Sequence, residues 1–278
     1  MAGKQDDCLT IEIADGVAWV TINNPPINLF DTPLIQALSA AATRLENDPA
    51  ISVIVFQSAD PHFFIAHGDV NTILGSIGPE GGGHSNSSPF QHMLDRFRLM
   101  PKVTIGKVNG IARGGGLELL AALDMRFCSI ENTRLGQPEV PLGIIPGGGG
   151  ASRWPRLIGY ARAMELLVGG RDIDGPTAER YVMVNRALPV TEIDVFVDGL
   201  ARRIAGFPPH AVALAKQVAQ HEGTLLNALD CEAAAFSQAA AHPDALDTMR
   251  RFMASGGQTR ESELRDPFTV LTNRQNKS

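Results

Sequence analysis

The chain has 278 residues, of which 44% are hydrophobic and 19% charged, with a formal net charge of -6. That length and apolar content sustain a packed core and argue against wholesale disorder. The acidic balance lacks the basic footprint of a nucleic-acid binder, and three scattered cysteines, Cys8, Cys128 and Cys231, support neither a disulfide framework nor a zinc ribbon.

The first residues, MAGKQDDC, carry no apolar core of a secretory signal. Apolar stretches are broken by charge, Gly or Pro well short of a membrane span. The expected location is the cytoplasm, or an organelle matrix, and no membrane partner is expected.

Leu9 to Ile13 and Val17 to Ile22 alternate apolar and polar residues around Asp15-Gly16, which predicts a β-hairpin with a tight turn. Asp31 is placed to cap a helix starting near Pro33, with Leu34, Ile35, Leu38, Ala41 and Leu45 on one face. Ile51 to Phe56 is a β-branched apolar run and predicts a buried strand, after which Asp60-Pro61 opens a loop. Gly75 to Pro89 is rich in Gly and Ser with little apolar content. It reads as a surface loop or as a pocket rim. Val103 to Val108 predicts a strand, Leu117 to Leu123 a helix, and Met125 to Ile130 a further strand, a β-β-α rhythm that points to an α/β core. Beyond about residue 190 the spacing turns helical, over Glu192 to Ile204, Ala211 to His221, Leu225 to Ala240 and Pro243 to Ala254.

Three segments hold candidate chemistry. In the second of them, Val108 to Leu119, a strand meets Gly114-Gly115-Gly116 and then a helix with Glu118 in its first turn. Glycines admit close approach of a ligand, and the free N–H groups of a helix start favour negative charge. Such amides suit a developing oxyanion, although a carboxylate at a helix start is also favoured by the dipole alone. The third segment, Leu135 to Gly150, carries Glu139 in a loop stiffened by Pro138 and Pro141. The first, Phe63 to Asp69, carries His67 and Asp69 in an expected loop. Neither glycine run satisfies GxGxxG, no GxxxxGK[ST] or GxSxG occurs, and His221-Glu222 lacks the second His of HExxH. Nucleotide, serine-hydrolase and zinc-protease readings are therefore set aside, and no metal is expected.

Taken together, FIAHGD, NGIARGGGLE, GQPE and GIIPGGGG, in this order and near the family's spacing, resemble the crotonase (enoyl-CoA hydratase/isomerase) superfamily. The resemblance implies a right-handed spiral of β-β-α repeats over residues 1–190. It also implies a helical oligomerisation region over 191–278, in trimers or hexamers. It implies a hydro-lyase of fatty acid metabolism that adds water to 2-enoyl-CoA thioesters, with coenzyme A arriving as part of the substrate and no other cofactor. Glu118 and Glu139 match the acid–base pair, with water activation assigned mainly to Glu118 and α-carbon proton transfer to Glu139. The backbone N–H groups of Ala66 and Gly115 match the oxyanion hole. Ala66, His67, Gly68, Asp69, Gly115 and Gly147 match substrate-contacting positions, Gly147 through a water.

Departures are local. His67 stands where the family has glycine, a change expected to leave the Ala66 N–H available. Arg113 stands where apolar residues are common and is expected at the surface. One extra residue between the two glutamates is expected to bulge near Ile130. Two rival readings are a Δ3-Δ2-enoyl-CoA isomerase, which typically keeps only the second glutamate, and a non-catalytic acyl-CoA-binding scaffold.

Overall fold

The structure, a computed structural model, describes residues 8–76 and 87–264. Most of the Gly75–Pro89 segment lies outside the described residues. Leu9–Ala14 (β1) and Val17–Ile22 (β2) pair antiparallel across Asp15 and Gly16, whose φ angles of 50° and 79° are those of a primed two-residue turn. Asp31 accepts from Leu34 N and starts Thr32–Asn47 (α1), which buries Leu34, Leu38, Ala41 and Leu45 as its spacing predicts.

Three β-β-α units follow. The first is Val53–Ser58 (β3), Phe63–Ile65 (β4), Val70–Ser76 (α2) and Pro89–Leu99 (α3). The second is Val103–Val108 (β5), Ile111–Arg113 (β6) and Gly115–Ala122 (α4). The third is Met125–Ser129 (β7), Arg134–Gly136 (β8), Gly150–Ile158 (α5) and Tyr160–Gly169 (α6). The first strand of each unit enters a six-stranded sheet ordered β1-β2-β3-β5-β7-β10, and the second enters a four-stranded sheet ordered β4-β6-β8-β9. The last strands of those sheets are Ile173–Asp174 (β9) and Arg186–Leu188 (β10), joined by Gly175–Arg180 (α7). The strands of successive units pair in parallel in both sheets, so the chain winds as a spiral with one strand per turn in each wall.

The inner strands are buried on both faces, which is why they read as continuous apolar runs. Ile54 and Phe56 of β3 face the main core, whereas Val53 and Val55 face Ile193, Val197, Ala201 and Ala205 of Ile193–Ala205 (α8). Pro209–Ala219 (α9), Leu225–Ala240 (α10) and Pro243–Ala254 (α11) complete the helical stretch and contain no buried residue. No helix among the described residues is long and apolar enough to cross a membrane.

Three expectations change. FIAHGD is not wholly loop, because Phe63–Ile65 pairs with β6 as a strand too short to announce itself. The bulge placed near Ile130 is not there. Ile130 N donates to Leu188 O at 2.8 Å and prolongs the β7–β10 pairing without a register shift. Arg113 is not simply a surface cation: its guanidinium grips Asp172 with two bonds, of 2.7 and 2.6 Å, and tethers β6 to the segment before β9.

Candidate functional site

Register assembles the site. In the four-stranded sheet Ile65 pairs with Ala112, Ala112 with Leu135, and Arg113 with Gly136. The chain therefore leaves β4 at Ala66, β6 at Gly114 and β8 at Gln137 side by side, at the carboxyl end of three parallel strands. That is where open α/β sheets place their ligands.

Two glycines permit the convergence. A β-carbon on Gly116 would stand 2.7 Å from both Cβ and O of Ile65, so only glycine lets α4 begin against the end of β4. Gly114 takes φ 48°, and a β-carbon there would stand 2.8 Å from Glu139 Oε1. Gly115, as the first residue of α4, has an N–H with no carbonyl four residues back inside the helix, and no acceptor for it occurs among the described residues.

Glu118 is 3% exposed. Its Oε1 accepts from Gly148 N at 2.6 Å and Gly150 N at 2.8 Å. Oε2 has no donor among the described residues. Burial raises the carboxyl above its ordinary range, against the lowering pull of the Gly150 and Gly148 amides and of Arg153. Arg153 also staples the glycine loop, donating from Nη1 to Gly148 O at 2.8 Å while Nη2 meets Asp95 of α3 at 3.2 Å.

Glu139 begins a short 3-10 turn over Val140–Leu142, and its carbonyl accepts from Leu142 N at 2.9 Å. The fully buried Gln137, with its amide turned to suit its surroundings, donates to Oε2 at 2.9 Å and to Oε1 at 3.1 Å. The Glu139 carboxyl is pushed up to about 7, first by burial and further by the negative charge of Glu118, against a lowering bond from its own backbone. The two acids thus sense each other across the cleft and titrate as a coupled pair.

The other expected positions divide. Ala66 reaches the cleft, but its N–H is not free: it donates to Ile27 O at 3.2 Å. His67 turns Nδ1 to Gly68 O at 2.8 Å, and its Cβ would lie 3.7 Å from a β-carbon on Gly114. Gly68 forms a parallel bridge with Phe30. The Asp69 carboxylate is spent on α2, accepting from Asn71 N, Thr72 N and Thr72 Oγ1. Gly147 is exposed, and it is the neighbouring Gly148 whose amide meets Glu118.

Sequence reasoning missed Gly148, Gly150, Gln137, Arg153, Phe30 and Phe90. Gln137 and the glycines lay inside quoted motifs, but the two phenylalanines carry no local signal. Outside the cleft, His210, His242 and Asp244 bring three possible ligand atoms within 4.8 Å of one another. The two imidazoles stack at 3.7 Å with planes 14° apart. Their lone pairs lie in nearly parallel planes 3.7 Å apart, which a single ion about 2 Å from each nitrogen cannot share in-plane.

A family model described as enoyl-CoA hydratase/isomerase matches residues 12–258. The chain is 31% identical to a short-chain-enoyl-CoA hydratase of Clostridium acetobutylicum over 85% of its own length and 91% of that protein. It is 30% identical to a crotonyl-CoA hydratase of Syntrophomonas wolfei, over 88% of this chain and 94% of the other. A crystal structure of an enoyl-CoA hydratase from Geobacillus kaustophilus superposes with a TM-score of 0.81 at 29% identity, covering 90% of this chain and 94% of that one.

Proposed function

The chain belongs to the enoyl-CoA hydratase/isomerase family, and from that premise we propose that it hydrates 2-enoyl-CoA thioesters. The observation that carries this reading is the paired carboxyls. Glu118 is anchored through one oxygen by two amides, its other oxygen has no donor among the described residues, and its charge helps to raise a Glu139 that ionises only near neutrality.

The reaction follows from those groups. Glu118 Oε2 takes a proton from water as the water oxygen bonds to Cβ of the substrate. The electron pair of the double bond moves towards the thioester, which becomes an enolate with its charge on oxygen. The Gly115 N–H meets that oxygen. Ala66 joins by exchanging a long neutral bond to Ile27 O for a shorter charge-assisted one. Glu139, protonated, then delivers its proton to Cα. One proton leaves water and one enters Cα, and a single proton passes from Glu118 to Glu139 through solvent to reset the pair.

Glu118→Gln tests it. Hydration of crotonyl-CoA, followed as loss of the conjugated thioester absorbance, is expected to fall at least a thousandfold. Near wild-type hydration in that variant would sink the two-carboxyl mechanism. A wild type that shifts a Δ3 double bond but does not hydrate crotonyl-CoA would identify an isomerase. Tight acyl-CoA binding by the wild type without any turnover would identify a scaffold.

A further inference from the structure

Two aromatic rings stand over the reacting groups. Phe30 follows β2, is 3% exposed and is fixed at both ends, its N–H donating to His67 O at 2.9 Å and its carbonyl accepting from Asp69 N at 3.2 Å. Asn28, two residues earlier, anchors the same segment by donating to Ser58 Oγ, Phe63 O and Phe64 O. Phe90 lies in the first turn of α3, and its ring meets Phe30 edge to face, with centroids 4.9 Å apart.

The position of the Phe90 ring is defined by the two glycines it touches. A β-carbon on Gly115 would stand 3.5 Å from Phe90 Cζ and 3.3 Å from Phe30 Cδ2. A β-carbon on Gly148 would stand 2.4 Å from Phe90 Cε1 and 2.6 Å from Glu118 Oε2. One ring therefore reaches from the oxyanion amide to the peptide that holds the base. A thioester whose oxygen rests on the Gly115 N–H, with Cβ in front of Glu118, must send its acyl tail into the space this ring fills.

The helix that carries the ring is also held in place. Ser88 and Gln91 close a reciprocal cap on α3, with bonds of 3.2 and 2.8 Å. Arg96 of the same helix binds Glu46 of α1, and Asp95 binds Arg153 of α5.

We propose that Phe90, backed by Phe30, closes the acyl end of the cleft and makes this chain selective for short 2-enoyl thioesters. The proposal rests on the hydratase reading and deepens it. A pocket wall discriminates by about tenfold or more for each methylene that it refuses.

The test compares crotonyl-CoA with trans-2-decenoyl-CoA in the wild type, Phe90→Ala and Phe90→Leu, as ratios of kcat/KM. The wild type is expected to favour crotonyl-CoA by at least roughly a hundredfold. Phe90→Ala should move the ratio towards the long substrate by at least roughly tenfold. Phe90→Leu, which keeps an apolar packing partner, should move it less and in the same direction, so a folding loss in the alanine variant leaves a second reading. A wild type that prefers the long substrate, or ratios unmoved in both variants, overturns the proposal. Binding of butyryl-CoA and decanoyl-CoA, measured by calorimetry, reads the same wall without turnover. If no protein hydrates either substrate the hydratase reading fails, and the proposal then stands or falls on whether Phe90→Leu shifts that affinity ratio towards decanoyl-CoA.

Discussion

Glu139 is easier to keep protonated inside this chain than in water, and that has two measurable consequences. Its carboxyl, ordinarily near 4.5, is pushed up to about 7. As the proton donor to Cα it must hold its proton, so kcat/KM for crotonyl-CoA is expected to fall as pH rises through about 7. A profile flat through the alkaline range would remove Glu139 from that role. The same shift acts on stability. A carboxyl harder to ionise in the folded state favours folding fully below about 4.5 and loses that contribution as pH rises through about 7. Linkage alone gives about 3 kcal/mol, and because solvent reaches this half-buried group roughly 1–2 kcal/mol is expected to survive. Glu139→Gln, whose amide oxygen still accepts from Gln137, is therefore expected to be more stable than the wild type by that amount at pH 8 and equal to it at pH 4. Denaturant midpoints at the two pH values decide the matter, and a variant no more stable at pH 8 contradicts it.

At the scale of elements, the site depends on how closely α4, the glycine loop and α5 approach each other. Gly148 has no room for a side chain: a β-carbon would meet Phe90 and Glu118 at 2.4 and 2.6 Å. Gly148→Ala is expected to push the loop off Glu118, lose the 2.6 Å bond and lower kcat about a hundredfold or more. The helical spectrum should be unchanged, since Gly148 lies in the loop before α5. Wild-type kcat in Gly148→Ala would mean that the two amides do not orient the base. The short strands β4, β6 and β8 bury Phe64, Ile65, Ala112 and Leu135 in the core. Their register also sets Ala66, Gly114 and Gln137 abreast.

The whole molecule carries an unfinished surface. Leu225, Leu226 and Phe236 of α10 are 77%, 68% and 73% exposed, and Met249 and Met253 of α11 are each 51% exposed. Apolar groups gathered on two helices that contain no buried residue are the usual mark of an assembly face. Trimers or hexamers, the states implied by the family resemblance, are accordingly expected in solution, at three or six times the chain mass by light scattering. Phe236→Glu is expected to shift that mass downwards. A monomer at tens of micromolar wild-type protein would contradict the expectation.

What could be read from the sequence was whatever short-range physics determines. The Asp15-Gly16 turn, the Asp31 cap, the alternating faces of β2 and the helical spacing of α8 to α11 each depend on residues within a turn or two of one another. The order of the four motifs likewise pointed to Glu118, Glu139 and Gly115. Tertiary structure alone decided what those residues meet. The Gly148 and Gly150 amides on Glu118, the Ile27 carbonyl on the Ala66 N–H, and Phe90 over Gly115 are contacts between separate segments of the chain. Their partners are far apart in the chain or silent in pattern, because hydrogen bonds and close packing are settled by distance in space, and no local propensity encodes that.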